Sequence, residues 1–287
     1  MPMILRKDFL LSSAHGRDFA VDARWLPDGQ AKPVVVFVHG FKGFKDWGHF
    51  NLLADYFAHH GFVFVKLNLS HNGVEPYGDD LTNLEAFGNN NFCIELDDVG
   101  TLLAYLKNNP AEIPAQEMEA DYIFLIGHSR GGGLVLLKAA EAAEVTGVAT
   151  WSAISDIDQR WSPEVMERWK RDGVQYIPNV RTGQQMPLYY QLVENYQANR
   201  NRLDIPNAVE KLQIPLLILH GEQDETLPVQ MAHTLHALNP FAELHLLPEG
   251  DHSFGGRHPY EQPELPGLAK AAADKTIQFF QTTLDRL

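Results

Sequence analysis

Apolar residues recur along this chain with two periods that alternate from its start to its end. Short runs rich in β-branched and aromatic residues are typical of buried strands, and longer amphipathic stretches are typical of helices. The predicted strands lie near residues 9–13, 19–25, 33–38, 62–67, 122–126, 145–152, 216–219 and 243–247. The predicted helices lie near residues 50–60, 93–106, 134–143, 232 and 268–284. This alternation predicts an α/β protein with a mostly parallel sheet between two layers of helices, and the first two runs predict antiparallel edge strands.

Two segments interrupt the alternation. Residues 71–91 form a polar stretch with three consecutive asparagines, which we expect either to rim a site or to serve as a plain connection. Residues 157–213 separate the strand at 145–152 from the strand at 216–219, and we interpret them as an inserted cap. The predicted organisation is a core of residues 1–156 and 214–287 with a cap of residues 157–213.

A serine directly follows the strand at 122–126, within the pentapeptide GHSRG at 127–131. Glycines two residues on either side of a serine indicate a strand-to-helix turn so tight that a Cβ there would clash with neighbouring backbone. Such a turn exposes the hydroxyl of Ser129 as a nucleophile. It also aims the N–H of Arg130 at the place where negative charge develops on an attacked carbonyl oxygen. The alternative is a glycine-rich turn with an incidental serine.

A serine nucleophile requires a histidine base and an acid that orients the histidine. In this architecture the chain order is serine, then acid, then histidine. Asp224 follows the strand at 216–219, and His252 follows the strand near 243–247 after two chain-breaking residues. Each candidate lies just past the carboxyl end of a strand, where open α/β sheets place their sites.

A second oxyanion donor is predicted after the strand at 33–38, in the sequence HGFKG at 39–43. Gly40 allows the backbone to turn sharply, so that the N–H of Phe41 points into the same pocket as the N–H of Arg130. The alternative is a turn that merely ends the strand.

Taken together, these motifs resemble the α/β-hydrolase superfamily, and most closely its bacterial cinnamoyl (feruloyl) esterase-like and dienelactone-hydrolase-like members. The resemblance implies the α/β-hydrolase fold, with Ser129 as nucleophile, Asp224 as acid, His252 as base, and Phe41 and Arg130 as oxyanion donors. True dienelactone hydrolases use a cysteine nucleophile, whereas this chain has a serine. The motifs that carry the resemblance are HGFKG at 39–43, GHSRG at 127–131, HGEQDETLP at 220–228 and GDHSF at 250–254.

Other residues compete for some of these roles. Asp156 follows an earlier strand and is an alternative acid, because the acid position can move by one strand in this fold. Asp251 adjoins the predicted base and is expected to be solvated, and His258 is a rival base in an expected exposed loop. His39 and His128 lie inside motifs, where we expect them to pack and hydrogen-bond locally.

The predicted cap is rich in aromatic residues and nearly neutral. It has eight basic and seven acidic residues, although the whole chain carries a net charge of −14. Trp161, Trp169, Tyr189 and Tyr190 are therefore candidate substrate-binding residues that would admit aromatic or carboxylate-bearing acyl groups. The alternative is that these rings pack the cap's own small core.

Composition excludes several classes of partner. With 23 basic and 37 acidic residues in 287, the charge argues against nucleic acid and against an anionic membrane surface. The single cysteine rules out an intrachain disulfide, and the thirteen histidines show no metal-ligand spacing, so we expect neither a metal nor a cofactor. The apolar start is too short for a signal peptide and no run approaches membrane-spanning length, so a cytoplasmic location is expected. The oligomeric state stays open, a homodimer included.

The motifs predict a serine hydrolase that cleaves small-molecule carboxylic esters through an acyl-enzyme, with aromatic cinnamoyl-type esters as one substrate class. A peptidase or an acyl thioesterase would use the same residues, because the triad does not record the leaving group. From another class, a non-catalytic ligand-binding member of the fold is the alternative. The presence of Ser129, Asp224 and His252 together argues against it.

Overall fold

The computed structural model describes residues 3–108, 110–157 and 161–287, so that positions 158–160 of the predicted cap lie outside the described residues. Its strands are β1 (Leu5–Ser12), β2 (Asp18–Trp25), β3 (Lys32–Val38), β4 (Val63–Leu67), β5 (Met118–His128), β6 (Val145–Trp151), β7 (Val174–Pro178), β8 (Gln185–Tyr189), β9 (Leu216–Gly221) and β10 (Glu243–Leu247). Its helices are α1 (Phe50–His59), α2 (Leu84–Gly88), α3 (Phe92–Lys107), α4 (Arg130–Glu141), α5 (Pro163–Asp172), α6 (Gln191–Ala198), α7 (Ile205–Lys211), α8 (Gln230–Leu238) and α9 (Gly267–Leu284).

The main sheet has the strand order β1-β2-β4-β3-β5-β6-β9-β10. Strands β1 and β2 pair antiparallel with each other, and β2 also pairs antiparallel with β4. The remaining neighbours, from β4 through to β10, pair in parallel. The predicted α/β fold, with antiparallel edge strands on a parallel sheet, is therefore confirmed. All the parallel strands end at the same edge, where we expect a site.

The sheet separates two hydrophobic cores. Side chains of β3 alternate between them, with Val35 and Phe37 on one face and Val34, Val36 and Val38 on the other. Residues of α1 and α9 cover the first face, and residues of α3, α4 and α8 belong to the core on the second. Because β3 is buried on both faces, its sequence is continuously apolar rather than alternating.

The segment between β6 and β9 contains helices α5, α6 and α7 and a two-stranded antiparallel hairpin of β7 and β8. It contacts the polar stretch 71–91, which includes the short helix α2 rather than a continuous loop. Asn83 begins this helix by accepting a hydrogen bond from the Ala86 N–H at 2.8 Å. A helix of five residues is too short to show a hydrophobic period, so the sequence pattern did not reveal it.

Candidate active site

Ser129 lies at a strained corner between β5 and α4. Its φ of 57° and ψ of −119° fall in a region that residues with a side chain rarely adopt. A Cβ added to Gly127 would lie 2.2 Å from the Gly131 carbonyl oxygen, and one added to Gly131 would lie 2.3 Å from the Val38 carbonyl oxygen. Both positions therefore require glycine, for the reason that the GHSRG sequence indicated.

Backbone hydrogen bonds hold this corner against the neighbouring strand. The Ser129 N–H donates to the Trp151 carbonyl oxygen at 2.9 Å, and the Ile154 N–H donates to the Ser129 carbonyl oxygen at 3.3 Å. The Ser129 side chain lines a pocket that His252 also lines. Within the described ranges, Ser129 Oγ has no hydrogen-bond partner of its own. The hydrogen bond between a nucleophile and its base is often long or poorly aligned in the absence of substrate, and it shortens when substrate binds.

His252 is hydrogen-bonded to Asp224, as the sequence order predicts for a base and its acid. The distance from His252 Nδ1 to Asp224 Oδ2 is 2.7 Å. A carboxylate only accepts hydrogen bonds, so the proton of the neutral imidazole lies on Nδ1. Nε2 of His252 is then the unprotonated nitrogen that can accept a proton.

Asp224 is held as an anion by several donors. Its Oδ1 accepts hydrogen bonds from the N–H groups of Thr226 and Leu227, both at 2.8 Å, and His220 Nε2 lies 3.3 Å from its Oδ2. Burial alone would raise the pKa of this carboxyl. The hydrogen bonds from His220, His252 and Leu227 outweigh burial and hold the pKa of Asp224 well below its usual range.

His128, inside the GHSRG motif, contacts the loop that carries His252. Its Nε2 lies 2.8 Å from the His252 carbonyl oxygen, so the ring donates its proton there. Burial, followed by the proximity of His252, lowers the pKa of His128 to about 3. A neutral His128 therefore connects the end of β5 to the loop after β10, and it also lines the pocket beside Ser129.

The loop after β3 approaches Ser129 closely at Gly40. A Cβ at Gly40 would lie 2.9 Å from Ser129 Cβ and 3.1 Å from the His128 carbonyl oxygen. His39 Nδ1 lies 2.9 Å from the Gly40 carbonyl oxygen, and His39 Nε2 lies 3.3 Å from the Leu69 N. Because the carbonyl accepts and the N–H donates, the ring is neutral with its proton on Nδ1, and burial lowers the pKa of His39 to about 4.

The two predicted oxyanion donors directly follow Gly40 and Ser129 in the chain. Phe41 follows Gly40 and lines the pocket, and Arg130 is the first residue of α4, where an N–H has no partner within its helix. The Arg130 side chain points away from the pocket into the protein. Its Nε donates to Glu95 Oε2 at 2.8 Å, and its guanidinium carbon lies 3.9 Å from the centre of the Phe92 ring. We expect Arg130 to act through its backbone N–H rather than through its charge.

The pocket beside Ser129 has a volume of about 370 Å³. Its walls combine aromatic rings with basic and amide groups from four separate parts of the chain. The lining residues are Gly40, Phe41, Lys42, Gly43, Trp47, Phe50, His128, Ser129, Asn179, Arg181, His252, Ser253, Arg257 and His258. The turn between β7 and β8 contributes two of them, Asn179 and Arg181, so the cap reaches the pocket through its hairpin.

The four cap aromatics proposed from the sequence are not among these lining residues. Trp169 is fully buried, its indole N–H donates to the Leu188 carbonyl oxygen at 2.7 Å, and its ring packs against Trp161 and Tyr190. The Tyr189 hydroxyl donates to the Glu85 carboxylate at 2.6 Å. These rings therefore pack within the cap or against α2, because a small inserted segment needs large side chains for its own core. This packing favours the alternative that the rings form the cap's own core, and their contact with substrate stays a prediction.

The competing acid and base candidates are not the residues that form the hydrogen-bonded acid–base pair. The hydrogen bond of His252 goes to Asp224 and not to Asp156. Asp251 Oδ1 accepts from the N–H groups of Ser253 and Gly255, which is a local loop contact. His258 does line the pocket, although the sequence indicated an exposed loop, and its Nδ1 accepts a hydrogen bond from the Gly48 N–H at 2.9 Å.

Neither a metal cluster nor a membrane span occurs in the described part of the chain. In the ranges 3–108, 110–157 and 161–287, no three histidine, cysteine or carboxylate side chains cluster in a way that would hold a metal ion. Over the same ranges, no helix has the length and apolar content that crossing a membrane requires.

Residues 35–265 match the model of the alpha/beta hydrolase family, which is most of the chain. The chain belongs to the alpha/beta hydrolase family. Among curated proteins, it is 29% identical over 137 residues to 2,6-dihydropseudooxynicotine hydrolase of Paenarthrobacter nicotinovorans, covering 46% of this chain and 33% of that protein. It is 34% identical over 99 residues to the uncharacterized protein YfhR of Salmonella typhimurium, covering 33% of this chain and 28% of the other. The matches thus span about a third or less of these relatives' length.

Solved structures of this hydrolase fold resemble the chain over nearly its full length. Est1E from Butyrivibrio proteoclasticus, solved with ferulic acid bound, superimposes with a TM-score of 0.66 at 16% identity, covering 98% of this chain and 96% of that one. A putative dienelactone hydrolase from Klebsiella pneumoniae gives a TM-score of 0.62 at 16% identity, with 97% and 99% coverage. The predicted resemblance to these two groups is confirmed at the level of fold.

Proposed function

We propose that this chain is a serine hydrolase that cleaves small-molecule carboxylic esters through an acyl-enzyme. The observation that carries the proposal is the 2.7 Å hydrogen bond between His252 Nδ1 and Asp224 Oδ2, formed beside a pocket that a strained Ser129 lines. This is the arrangement in which a serine hydroxyl becomes a nucleophile at neutral pH.

The first half of the reaction follows from the tautomer of His252. Nε2 takes the proton of Ser129 Oγ as that oxygen attacks the ester carbonyl, and Asp224 stabilises the resulting imidazolium. Negative charge then develops on the former carbonyl oxygen. The N–H groups of Phe41 and Arg130 are the proposed donors to it, and one such donor contributes about 3 to 4 kcal/mol to transition-state stabilisation.

The remaining steps release the alcohol, which completes acylation, and then regenerate the serine. His252 Nε2–H gives its proton to the departing alkoxide, which leaves as an alcohol while the acyl group stays on Ser129 Oγ. A water molecule then attacks the acyl carbonyl carbon while Nε2 accepts its proton. The bond between that carbon and Ser129 Oγ breaks, Nε2–H returns the proton to Oγ, and the carboxylic acid leaves. The His128 side chain holds the His252 carbonyl oxygen at 2.8 Å, and it supports this role because the base must keep its position through both halves.

The pocket walls favour an ester with a flat apolar part. The rings of Phe41, Trp47 and Phe50 line the pocket, and aromatic acyl groups pack well on such rings. The structural neighbour Est1E was solved with ferulic acid, which supports hydroxycinnamoyl esters as candidate substrates. Est1E and this chain are 16% identical, so this support comes from their shared fold.

A fluorophosphonate probe tests the proposal directly. Because only an activated serine reacts with such a probe, we expect a single adduct on Ser129, mapped by peptide mass spectrometry. Ser129→Ala should abolish both labelling and hydrolysis of p-nitrophenyl acetate. Ser253→Ala is the matched control, since Ser253 lines the same pocket and should leave labelling intact. A folded protein that is not labelled, or is labelled at Ser253, would rule out the proposed nucleophile.

A further inference from the structure

The polar lining of the pocket beside Ser129 is cationic, although the whole chain carries a net charge of −14. Lys42, Arg181 and Arg257 all line it, and they come from the loop after β3, the β7–β8 turn and the loop after β10. Among the lining residues that the structure describes, none is an aspartate or a glutamate. A cleft lined by one sign of charge raises the local concentration of ligands of the opposite sign.

Two of these cations have no carboxylate partner among the described residues. Lys42 Nζ donates only to the Pro178 carbonyl oxygen, at 3.4 Å, and in the described part of the chain it forms no ion pair. Within the same ranges, Arg257 has neither an ion pair nor a side-chain hydrogen bond. Arg181, in contrast, is paired with Asp80, with an Nη1 to Oδ2 distance of 3.0 Å. The positive charge facing the pocket therefore comes mainly from Lys42 and Arg257.

His258 adds a neutral donor to the same wall. Its Nδ1 accepts the hydrogen bond from the Gly48 N–H at 2.9 Å, so the ring proton lies on Nε2. Burial, and then the charge of Arg181, lowers the pKa of His258, which favours the neutral ring. The ring is fixed between Phe44 and Trp47, with centroid distances of 5.0 and 6.2 Å.

We propose that the substrate ester carries a carboxylate, in its acyl or its leaving group, that binds Arg257 and Lys42. The inference rests on the proposed ester hydrolysis and specifies its substrate class. A simple neutral ester would leave both cations without a partner and would gain nothing from them. A carboxylate would form charge-assisted hydrogen bonds there and would anchor the ester while its carbonyl lies at Ser129.

Two matched substrate pairs test the proposal and locate the charge. For the acyl side, p-nitrophenyl hydrogen glutarate is compared with p-nitrophenyl valerate, which has the same number of acyl carbons. For the leaving group, 4-acetoxybenzoate is compared with 4-acetoxybenzamide. We measure kcat/KM for each ester after subtracting its spontaneous hydrolysis, and take the anionic-to-neutral ratio within each pair. The ratio should exceed one in at least one pair and should fall as salt is added.

Charge-neutralising variants then assign the preference to residues. Arg257→Gln and Lys42→Gln should each lower that ratio about 2- to 5-fold, the scale of an ion pair near the surface, because Arg257 is exposed and Lys42 is half-buried. Arg257→Lys should restore most of the loss, and Arg181→Gln should lower the ratio less because Asp80 already neutralises that charge. Lys170→Gln is the control, since it removes an exposed cap cation outside the pocket lining.

The outcomes separate this inference from the proposed function. If neither pair shows an anionic preference, or if Arg257→Gln and Lys42→Gln change the ratio no more than Lys170→Gln does, the carboxylate-binding role is wrong. Hydrolysis of the neutral esters that disappears in Ser129→Ala would still support the serine mechanism in that case. If Ser129→Ala retains hydrolysis of all four esters, the proposed function itself fails.

Discussion

Replacing Asp224 by asparagine isolates the orienting role of the acid with little change in shape. In the structure, Oδ1 accepts two backbone N–H groups, from Thr226 and Leu227, at 2.8 Å. Backbone N–H groups can only donate, so in Asp224→Asn the side-chain oxygen must stay at the Oδ1 position. The NH₂ group then faces His252 Nδ1, which lies 2.7 Å from Oδ2 in the native chain.

A donor facing Nδ1 forces the imidazole of His252 to move its proton to Nε2. In that tautomer, Nε2 cannot accept the proton of Ser129, and the anion that stabilised the imidazolium is also lost. The loss in kcat should be on the order of 10⁴-fold, or about 5.4 kcal/mol at about 1.36 kcal/mol for each factor of ten. The assay is kcat for p-nitrophenyl acetate, with circular dichroism and the midpoint of thermal unfolding measured alongside.

Asp156→Asn is the matched control, because it makes the same chemical change at the other acid candidate. We expect it to keep kcat within a few-fold of the native value, since the hydrogen bond of His252 goes to Asp224. A large loss in Asp156→Asn with little loss in Asp224→Asn would refute the acid assignment. A loss in Asp224→Asn that merely tracks the unfolded fraction would refute the tautomer argument.

Three further predictions concern the cap, the loop after β3 and acid stability. Trp169→Ala should lower the free energy of unfolding by about 3 to 5 kcal/mol yet reduce kcat/KM equally for acetate and hydroxycinnamate esters; a loss selective for the hydroxycinnamate would contradict cap packing. In Gly40→Ala the new Cβ would lie 2.9 Å from Ser129 Cβ, so the loop after β3 must shift. We expect kcat to fall about 100-fold, which is comparable to losing one oxyanion donor. An unchanged kcat would show that the close approach at Gly40 does not matter for catalysis. Burial lowers the pKa of His39 from 6.5 to about 4 in the folded protein. The free energy of unfolding should therefore decrease as the pH falls from 6.5 toward 4, because the unfolded chain binds a proton at His39 more readily. His39→Gln should weaken this pH dependence in urea unfolding, and an unchanged pH dependence would count against the argument.

The sequence by itself determined the fold and the placement of the motifs. Continuous apolar runs such as residues 34–38 indicated strands buried on both faces, and their alternation with helices leaves few arrangements other than a parallel sheet. Because parallel strands end at one edge, motifs after three different strands meet there. This is why Asp224 and His252, 28 residues apart, could be predicted as partners from the sequence. Their catalytic roles stay predictions.

Only the tertiary structure decided what surrounds Ser129. The aromatic content of the cap is visible in the sequence, but whether a ring faces substrate or its own core depends on how the cap folds, and Trp169 lies in that core. Lys42, Arg181 and Arg257 are far apart in the chain, and no local pattern links them. They share a pocket because the ends of parallel strands and the β7–β8 turn converge on it. Catalytic motifs are local because backbone strain and hydrogen bonding constrain neighbouring residues, whereas a pocket's walls depend on long-range packing that spacing along the chain does not encode.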